Sequence, residues 1–281
     1  MATENGPVTE ICRITLRPNV DISEESKDFK ICSQWGRWTR GRIEPLLTWM
    51  ERVGREALDT VASQDGFVKS YYGTQFEAKN EVVWCIGLFE FLCFCSCRLW
   101  PIERVISSKT LLMHPKRRES NWTSISAHRA FEASSAYQSF KEKLGVIMED
   151  VIFFHINQIS KPLLSPAVME IATFYGTGGV FIHGLEEFKK AIENLKEVPR
   201  GYLSWMDWGS SFEMIRRGGD GEKGEGEKGR VVVLMLAWRS MEDHMAFRDT
   251  EDFKSVIGHL RKGTTGAEMV SFLRMKPGPV F

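Results

Sequence analysis

The chain has 281 residues, of which 43% are apolar and 26% charged, with 37 Lys and Arg balanced by 37 Asp and Glu. These proportions are typical of a globular protein and argue against an intrinsically disordered one. Because the formal net charge is zero, the chain lacks the excess positive charge that general binding to nucleic acid or to anionic membrane requires. We therefore expect a small molecule or another protein as its partner.

In the first half of the chain, hydrophobic patterning predicts the order β-α-β-β-α-β. The predicted strands lie over 8–16, 66–77, 81–86 and 151–157, one helix ends near residue 62, and a second helical region lies over 126–144. Residues 163–166 are predicted to link this series to the next one.

The second half repeats that order. A strand over 168–175 precedes a helix in which Leu185, Phe188 and Ile192 recur at helical spacing. An aromatic-rich strand over 201–214, a continuous apolar strand over 230–237 and a closing strand over 268–276 follow, with a helix capped by Ser240 and a second helical segment from Thr250. The Gly-, Glu- and Lys-rich residues 218–229 are predicted to form a disordered hairpin tip. This order is that of a ferredoxin-like α+β module.

The two halves also share residues at a fixed spacing. Five positions, Trp122, Ser124, His128, Ala130 and Phe131, recur as Trp238, Ser240, His244, Ala246 and Phe247. Upstream, the segment 73–77 matches 209–213, since each begins with Gly and ends in Phe-Glu. Self-similarity of this kind indicates duplicated structure, and we predict two modules, over 1–160 and 161–281.

Two extra segments interrupt the first module. The strand over 81–86 is followed by residues 87–120 before the repeat resumes, whereas its counterpart runs directly into Trp238. A central strand does not easily carry an apolar insertion at its end. Our hypothesis is that residues 87–120 are a retained-intron or gene-model artefact, and we extend it to residues 31–52.

The sequence favours a cytoplasmic protein. Residues 82–97 are nearly all apolar, but this run is shorter than a membrane helix and contains Glu90 near its middle. The N-terminal residues are polar and lack a signal pattern. The six cysteines form neither spaced pairs nor a C-x-x-C knuckle, so we expect free thiols and no metal site.

The W-x-S-x-x-x-H-x-x-F pattern after a central strand, beginning at Trp122 and again at Trp238, resembles the antibiotic-biosynthesis-monooxygenase (ABM) family of dimeric α/β-barrel proteins. The chain is similar to fungal tandem members of that family. The resemblance implies that two four-stranded sheets pack face to face within one chain, with a pocket between sheet and helices in each module. Some members oxygenate polycyclic phenols without metal or flavin, others degrade haem, and many have no established activity. No cofactor is implied here.

The resemblance directs attention to the paired histidines and to the aromatic residues. His128 or His244 could act as a general base on a phenol or anthrone, or each could bond a neighbouring carboxylate or backbone group and so fix the junction of sheet and helix. Trp122 and Trp238 could be core residues or substrate platforms. Further candidates for stacking on a flat aromatic ligand lie on the second strand of each module, namely Tyr72, Trp205 and Trp208.

Two hypotheses of function stay open at this point. The first is a cofactor-independent monooxygenase acting on an aromatic, polyketide-like small molecule. The second is a non-catalytic barrel that binds a small apolar ligand or serves as an interaction module. A homo-oligomer is compatible with both.

Overall fold

In a computed structural model of the chain, the residues that can be described are 7–18, 59–65, 70–76, 80–86, 124–157, 168–219, 224–274 and 276–277, with single residues 20, 57, 67, 78 and 159. The two predicted insertions, 31–52 and 87–120, lie outside these residues, as do Trp122 and the linker over 163–166. No helix in the part of the chain that is described is long and apolar enough to cross a membrane.

Within the described residues of the first half there are four strands and two full helices. They are β1 (Val8–Leu16), β2 (Ser70–Thr74), β3 (Glu81–Ile86), α1 (Ile125–Glu132), α2 (Ser135–Ile147) and β4 (Met148–Asn157). Residues 59–62 are also helical, where a helix is predicted to end. The second predicted helical region, over 126–144, corresponds to two helices, α1 and α2.

The second half repeats this series and adds a hairpin. Its elements are β5 (Val168–Tyr175), α3 (Gly179–Glu193), β6 (Tyr202–Ser210), β7 (Ile215–Arg217), β8 (Glu225–Gly229), β9 (Val232–Trp238), α4 (Met241–Arg248), α5 (Glu251–Val256), a 3-10 turn (Ile257–Arg261), β10 (Gly266–Arg274) and β11 (Lys276–Pro277). Strand β8 pairs antiparallel with β7, so the prediction of a disordered tip is wrong for residues 225–229. Backbone pairing with β7 orders these residues although their side chains are largely exposed.

Both main sheets are antiparallel, which confirms the prediction of an α+β fold. The strand orders are β11-β2-β3-β1-β4 and β10-β5-β9-β6, so each half arranges its four module strands as fourth, first, third, second. The registers also agree, because Glu10 lies opposite Ile86 on β3 and Glu170 lies opposite Leu236 on β9. The two halves therefore place Glu10 and Glu170 at equivalent positions.

Alternation along the strands divides the core formed by the described residues into three clusters. On β9, whose seven residues are all buried, Val233 and Met235 face the other sheet while Leu234 and Leu236 face the helices. The cluster between the sheets draws on both halves, including Ile11, Val83, Phe154, Met169, Ile171 and Trp205. The remaining two clusters lie between each sheet and its own helices.

The helices that follow the third strand of each half begin in the same way. The hydroxyls of Ser124 and Ser240 each accept a hydrogen bond from the backbone N–H three residues on, at 3.1 Å in both cases. Ser134 and Thr250 cap the second helix of each pair, with the same φ of −84° and ψ of 157°. Both pairs lie at the repeat spacing found in the sequence, and each satisfies a first-turn N–H that the helix itself leaves unbonded.

Candidate functional site

A cavity of about 290 Å³ lies on the helix side of the first sheet, between β1, β3, β4 and the helices α1 and α2. This volume is near the lower end of the range for small-molecule sites. Most of the lining side chains are apolar, and five of them are aromatic: Trp84, Phe131, Tyr137, Phe140 and Phe153. Its acidic and basic lining groups are those of Glu10, His128 and Lys141, and the thiol of Cys12 also lines it. Such a cavity suits a small, flat and largely apolar ligand.

Glu10 and His128 bring polar groups to this cavity. Glu10 is on the central strand β1, and the cap at Ser124 starts α1 so that His128 faces the sheet from its first turns. His128 is 3% exposed, and its Nε2 lies 3.4 Å from Glu10 Oε2. The Cys12 thiol donates to the other carboxylate oxygen, Glu10 Oε1, at 3.4 Å, and burial raises the pKa of that thiol.

A second histidine extends this contact away from the cavity. His155 lies opposite Glu10 in the β1–β4 register, and its Nε2 is 2.9 Å from His128 Nδ1. On its other side, His155 Nδ1 lies 2.6 Å from Glu213 Oε1, and the backbone N–H of His155 donates to Glu213 Oε2 at 3.0 Å. The four side chains form a chain in the order Glu10, His128, His155, Glu213, whose last member comes from the second half of the protein.

The two histidines of this chain differ in their proton affinity. Burial and the neighbouring His155 lower the pKa of His128, and this outweighs the opposing effect of Glu10. Burial also acts to lower the pKa of His155, but the hydrogen bond to Glu213 and the nearby carboxylates raise it above its usual value. The pKa of Glu213 is lowered because its contact with His155 outweighs its burial. A proton on this chain is therefore held most firmly between His155 and Glu213.

Glu10, His128 and His155 are also residue types that bind metal ions, and one ligand atom from each lies within 4.8 Å of the others. However, the closest pair of nitrogens is at hydrogen-bond distance, and Glu10 is nearest to the opposite ring nitrogen of His128. One ion cannot occupy both sides of an imidazole ring. These contacts describe a hydrogen-bonded chain better than a single coordination sphere.

The equivalent position in the second half has a different environment. Glu170 Oε2 accepts a hydrogen bond from Trp238 Nε1 at 2.8 Å and lies 3.4 Å from His244 Nε2. Burial raises the pKa of Glu170 to about 7, and burial together with Arg248 lowers the pKa of His244 to about 4. In the β5–β10 register, Phe272 lies opposite Glu170, where the first half has a histidine opposite Glu10. Glu170 and His244 are therefore both neutral near pH 6.

The candidate residues from the sequence lie in several places. His128 lines the cavity. Both His128 and His244 contact a buried carboxyl, as expected for histidines that join the sheet to a helix. Trp238 is 1% exposed within the second helix-side core, where Trp208 also packs, and Trp205 lies between the sheets. Tyr72 packs against the first helix-side core. None of these aromatic residues lines the cavity described above.

Glu10, His155 and Glu213 are site residues that the sequence interpretation did not select. A signal for Glu10 exists, because Val8-Thr9-Glu10-Ile11 recurs as Val168-Met169-Glu170-Ile171 at a spacing of 160. Glu213 is part of the second repeat pairing but carries no mark of function there. His155 has no counterpart in the repeat, and its role depends on strand register, which spacing alone did not reveal.

No protein-family model matches the sequence, and no curated protein does either. Among solved structures, an anthrone oxidase-like protein aligns over 99% of this chain and 95% of its own, with a TM-score of 0.55 and 12% identity. This likeness shows the fold. Two proteins provisionally described as monooxygenases align over 97% and 98% of this chain, and over 96% and 95% of their own, with 10% identity each. They come from Lactobacillus acidophilus NCFM and Fusobacterium nucleatum, with TM-scores of 0.46 and 0.49.

Proposed function

We propose that the chain is a tandem ABM-type protein whose modules, residues 1–160 and 161–281, pair as an intramolecular dimeric α/β barrel. Its first module acts as a cofactor-independent monooxygenase on an aromatic, polyketide-like small molecule. The equal strand orders, the matching registers and the core cluster shared by both sheets support the pairing. The fold of an anthrone oxidase-like protein supports the choice of family.

The observation that carries the enzymatic proposal is the position of His128 in the wall of an aromatic-lined cavity. A neutral imidazole is a suitable base for an acidic phenol or anthrone, and burial keeps the pKa of His128 low enough for the neutral form to dominate at pH 7. The aromatic lining matches a polycyclic substrate in shape and polarity. By contrast, His244 does not line this cavity. It packs against the ring of Trp238, at 4.9 Å between ring centroids.

The proposed reaction converts a methylene group of the substrate into a carbonyl group. His128 removes one proton from the methylene carbon, and the resulting carbanion adds O₂ to form a peroxide anion. The peroxide anion takes the proton back and then loses water, which leaves the carbonyl. One O₂ is consumed and one water is released for each methylene oxidised, so the reaction needs no external reductant.

A second candidate function is a barrel that binds a small apolar ligand without turnover. It is favoured by the near-complete burial of His128 and by its contacts on both ring nitrogens. The two candidates differ in one measurable respect, since a binding protein would quench the fluorescence of Trp84 on adding an anthrone but would consume no O₂.

The test is O₂ uptake with a panel of anthrones and hydroquinones, comparing the parent with His128→Ala and with His244→Ala as its matched control from the second half. We expect His128→Ala to lower the rate about 10²–10⁴-fold, and His244→Ala to keep most of it. Uptake that needs added flavin or metal, or equal losses in both variants, would contradict the proposal. Binding without uptake in the parent would establish the second candidate.

A further inference from the structure

We propose that His155 and Glu213 form a proton store behind His128, so that the second half of the chain completes the site of the first half. This inference rests on the proposed function, because it assigns a path to the proton that His128 removes. His155 and Glu213 would be positioning residues, since neither of them lines the cavity.

The geometry holds His155 firmly between its two neighbours. Both carboxylate oxygens of Glu213 are engaged, one by the ring and one by the backbone N–H of His155. The backbone N–H of Phe212 donates to the carbonyl oxygen of His155 at 2.9 Å, and Ile156 forms a β-bridge with Ser211. Strand β4 of the first half and the segment after β6 in the second half thus fix the direction of the imidazole ring.

The two nitrogens of each imidazole allow a proton to pass along the chain without any ring turning. Above the pKa of His155, His155 is neutral with its proton on Nδ1 towards Glu213, and His128 has its proton on Nδ1 towards His155. His128 Nε2 is then unprotonated and lies 3.4 Å from Glu10 Oε2, at the wall of the cavity. His128 Nε2 then accepts the substrate proton, while the Nδ1 proton of His128 moves to His155 Nε2. The result is a neutral His128 and a charged His155 beside the Glu213 carboxylate. The reverse transfer returns the proton to the peroxide, so no proton is gained or lost over the cycle.

The charges around the pair favour this direction of transfer. The carboxylates that act on His155 are Glu10 from β1, Glu132 from α1 and Glu213 from the segment after β6, and each raises its pKa. His128 experiences Glu10, Glu132 and Glu213 in the same sense but is lowered overall by burial and by His155. A proton placed on His128 therefore gains stability by moving to His155.

The second half provides a natural comparison for this inference. It contains an equivalent carboxyl and histidine, Glu170 and His244, but the residue opposite Glu170 is Phe272. Phenylalanine carries no proton and can accept none. His155→Phe therefore makes the first half resemble the second at this position.

The main experiment is the pH dependence of O₂ uptake in the parent, Glu213→Gln and a control, Glu268→Gln. Glu268 also joins the two halves, through Arg13 at 2.6 Å, and its pKa is also lowered, but it does not touch either histidine. The store accepts a proton only when His155 is neutral, so the parental rate rises with pH through the pKa of His155. Glu213→Gln removes the adjacent negative charge, and we expect the rise to move about 1–3 pH units lower. The maximal rate should fall about tenfold or more, and Glu268→Gln should keep the parental profile.

A second readout does not depend on turnover. In ¹⁵N-histidine NMR titrations, Glu213→Gln should lower the pKa of His155, and His155→Phe should leave the far-UV circular dichroism unchanged while it lowers the rate. If the parent consumes no O₂ with any substrate, the proposed function fails, whatever the titration shows. If the parent is active but Glu213→Gln keeps both its pH profile and its His155 titration, the proton store is wrong and the proposed function stands. If Glu213→Gln loses its circular dichroism signal, His155→Phe is tested in its place. A parental rate in His155→Phe would show that the proposed proton store is wrong.

Discussion

The stability of Glu170→Gln relative to the parent is expected to increase with pH. The Glu170 side chain is 13% exposed, and burial raises its pKa from 4.5 to about 7. In the unfolded chain the carboxyl titrates near its ordinary value. Between these two values the folded state binds more protons than the unfolded state, so raising the pH through this window lowers the free energy of unfolding.

The size of the effect follows from the two pKa values. A carboxyl that titrates at 4.5 unfolded and at about 7 folded costs roughly 2–3 kcal/mol more stability at pH 8 than at pH 5. Glutamine is neutral at both values of pH and accepts the same hydrogen bond from Trp238 through its amide oxygen. The stability of Glu170→Gln relative to the parent should therefore improve by roughly 2–3 kcal/mol between pH 5 and pH 8.

Urea unfolding of the parent, Glu170→Gln and Glu268→Gln at pH 5 and pH 8 measures this difference. Glu268 has a lowered pKa because Tyr175 and Arg13 bind its charged form, which outweighs its burial. It is ionised in both folded and unfolded states over this range, so Glu268→Gln should cost the same at both pH values. If Glu170→Gln also showed a constant difference, the carboxyl of Glu170 would titrate normally and its assigned neutrality at pH 6 would be wrong.

Two further predictions concern packing and helix capping. A Cβ on Gly209 would lie 2.7 Å from the carbonyl oxygen of Asn157, so Gly209→Ala should lower the free energy of unfolding by about 1–3 kcal/mol. The control is Gly258→Ala, whose Cβ would have no atom within 4 Å and which should change the free energy of unfolding by less than about 0.5 kcal/mol. Equal urea midpoints for the two would show that β4 and β6 are not in close contact. Ser124→Ala and Ser240→Ala should each cost about 1 kcal/mol in the same assay, and a cost confined to one of them would contradict the equivalence of the two caps.

The fold was predictable where one residue pattern has one structural outcome. Hydrophobic patterning placed β1 at its observed bounds, and the unbroken apolar run of β9 indicated a strand buried on both faces. In the second half, Ser240 and Thr250 predicted the starts of α4 and α5 because a hydroxyl there replaces a missing backbone partner. The tip was predicted wrongly for residues 225–229, since Gly and charged residues have low strand propensity and the pairing with β7 that orders them is not visible in local composition.

The candidate site was predictable in one of its four members. His128 stood out because it recurs in the repeat, whereas His155 does not recur and becomes informative only when β1–β4 register places it opposite Glu10. Glu213 is more than fifty positions away from His155, and no local pattern connects them. Pairings of this kind depend on how two strands from different halves meet, which a single sequence encodes only through the whole fold.

The residues that recur and those that do not carry different information about this protein. A buried carboxyl facing a histidine near a helix start occurs in both halves, at Glu10 with His128 and at Glu170 with His244. A duplicated contact is best explained by a shared structural need, namely joining the first strand to the second helical region. The feature of the first half that is not duplicated is His155, which lies opposite Glu10, whereas a phenylalanine lies opposite Glu170. We attribute the proposed chemistry of the first half to this difference. The catalytic proposal therefore depends on the differences between the halves, while the fold depends on what they have in common.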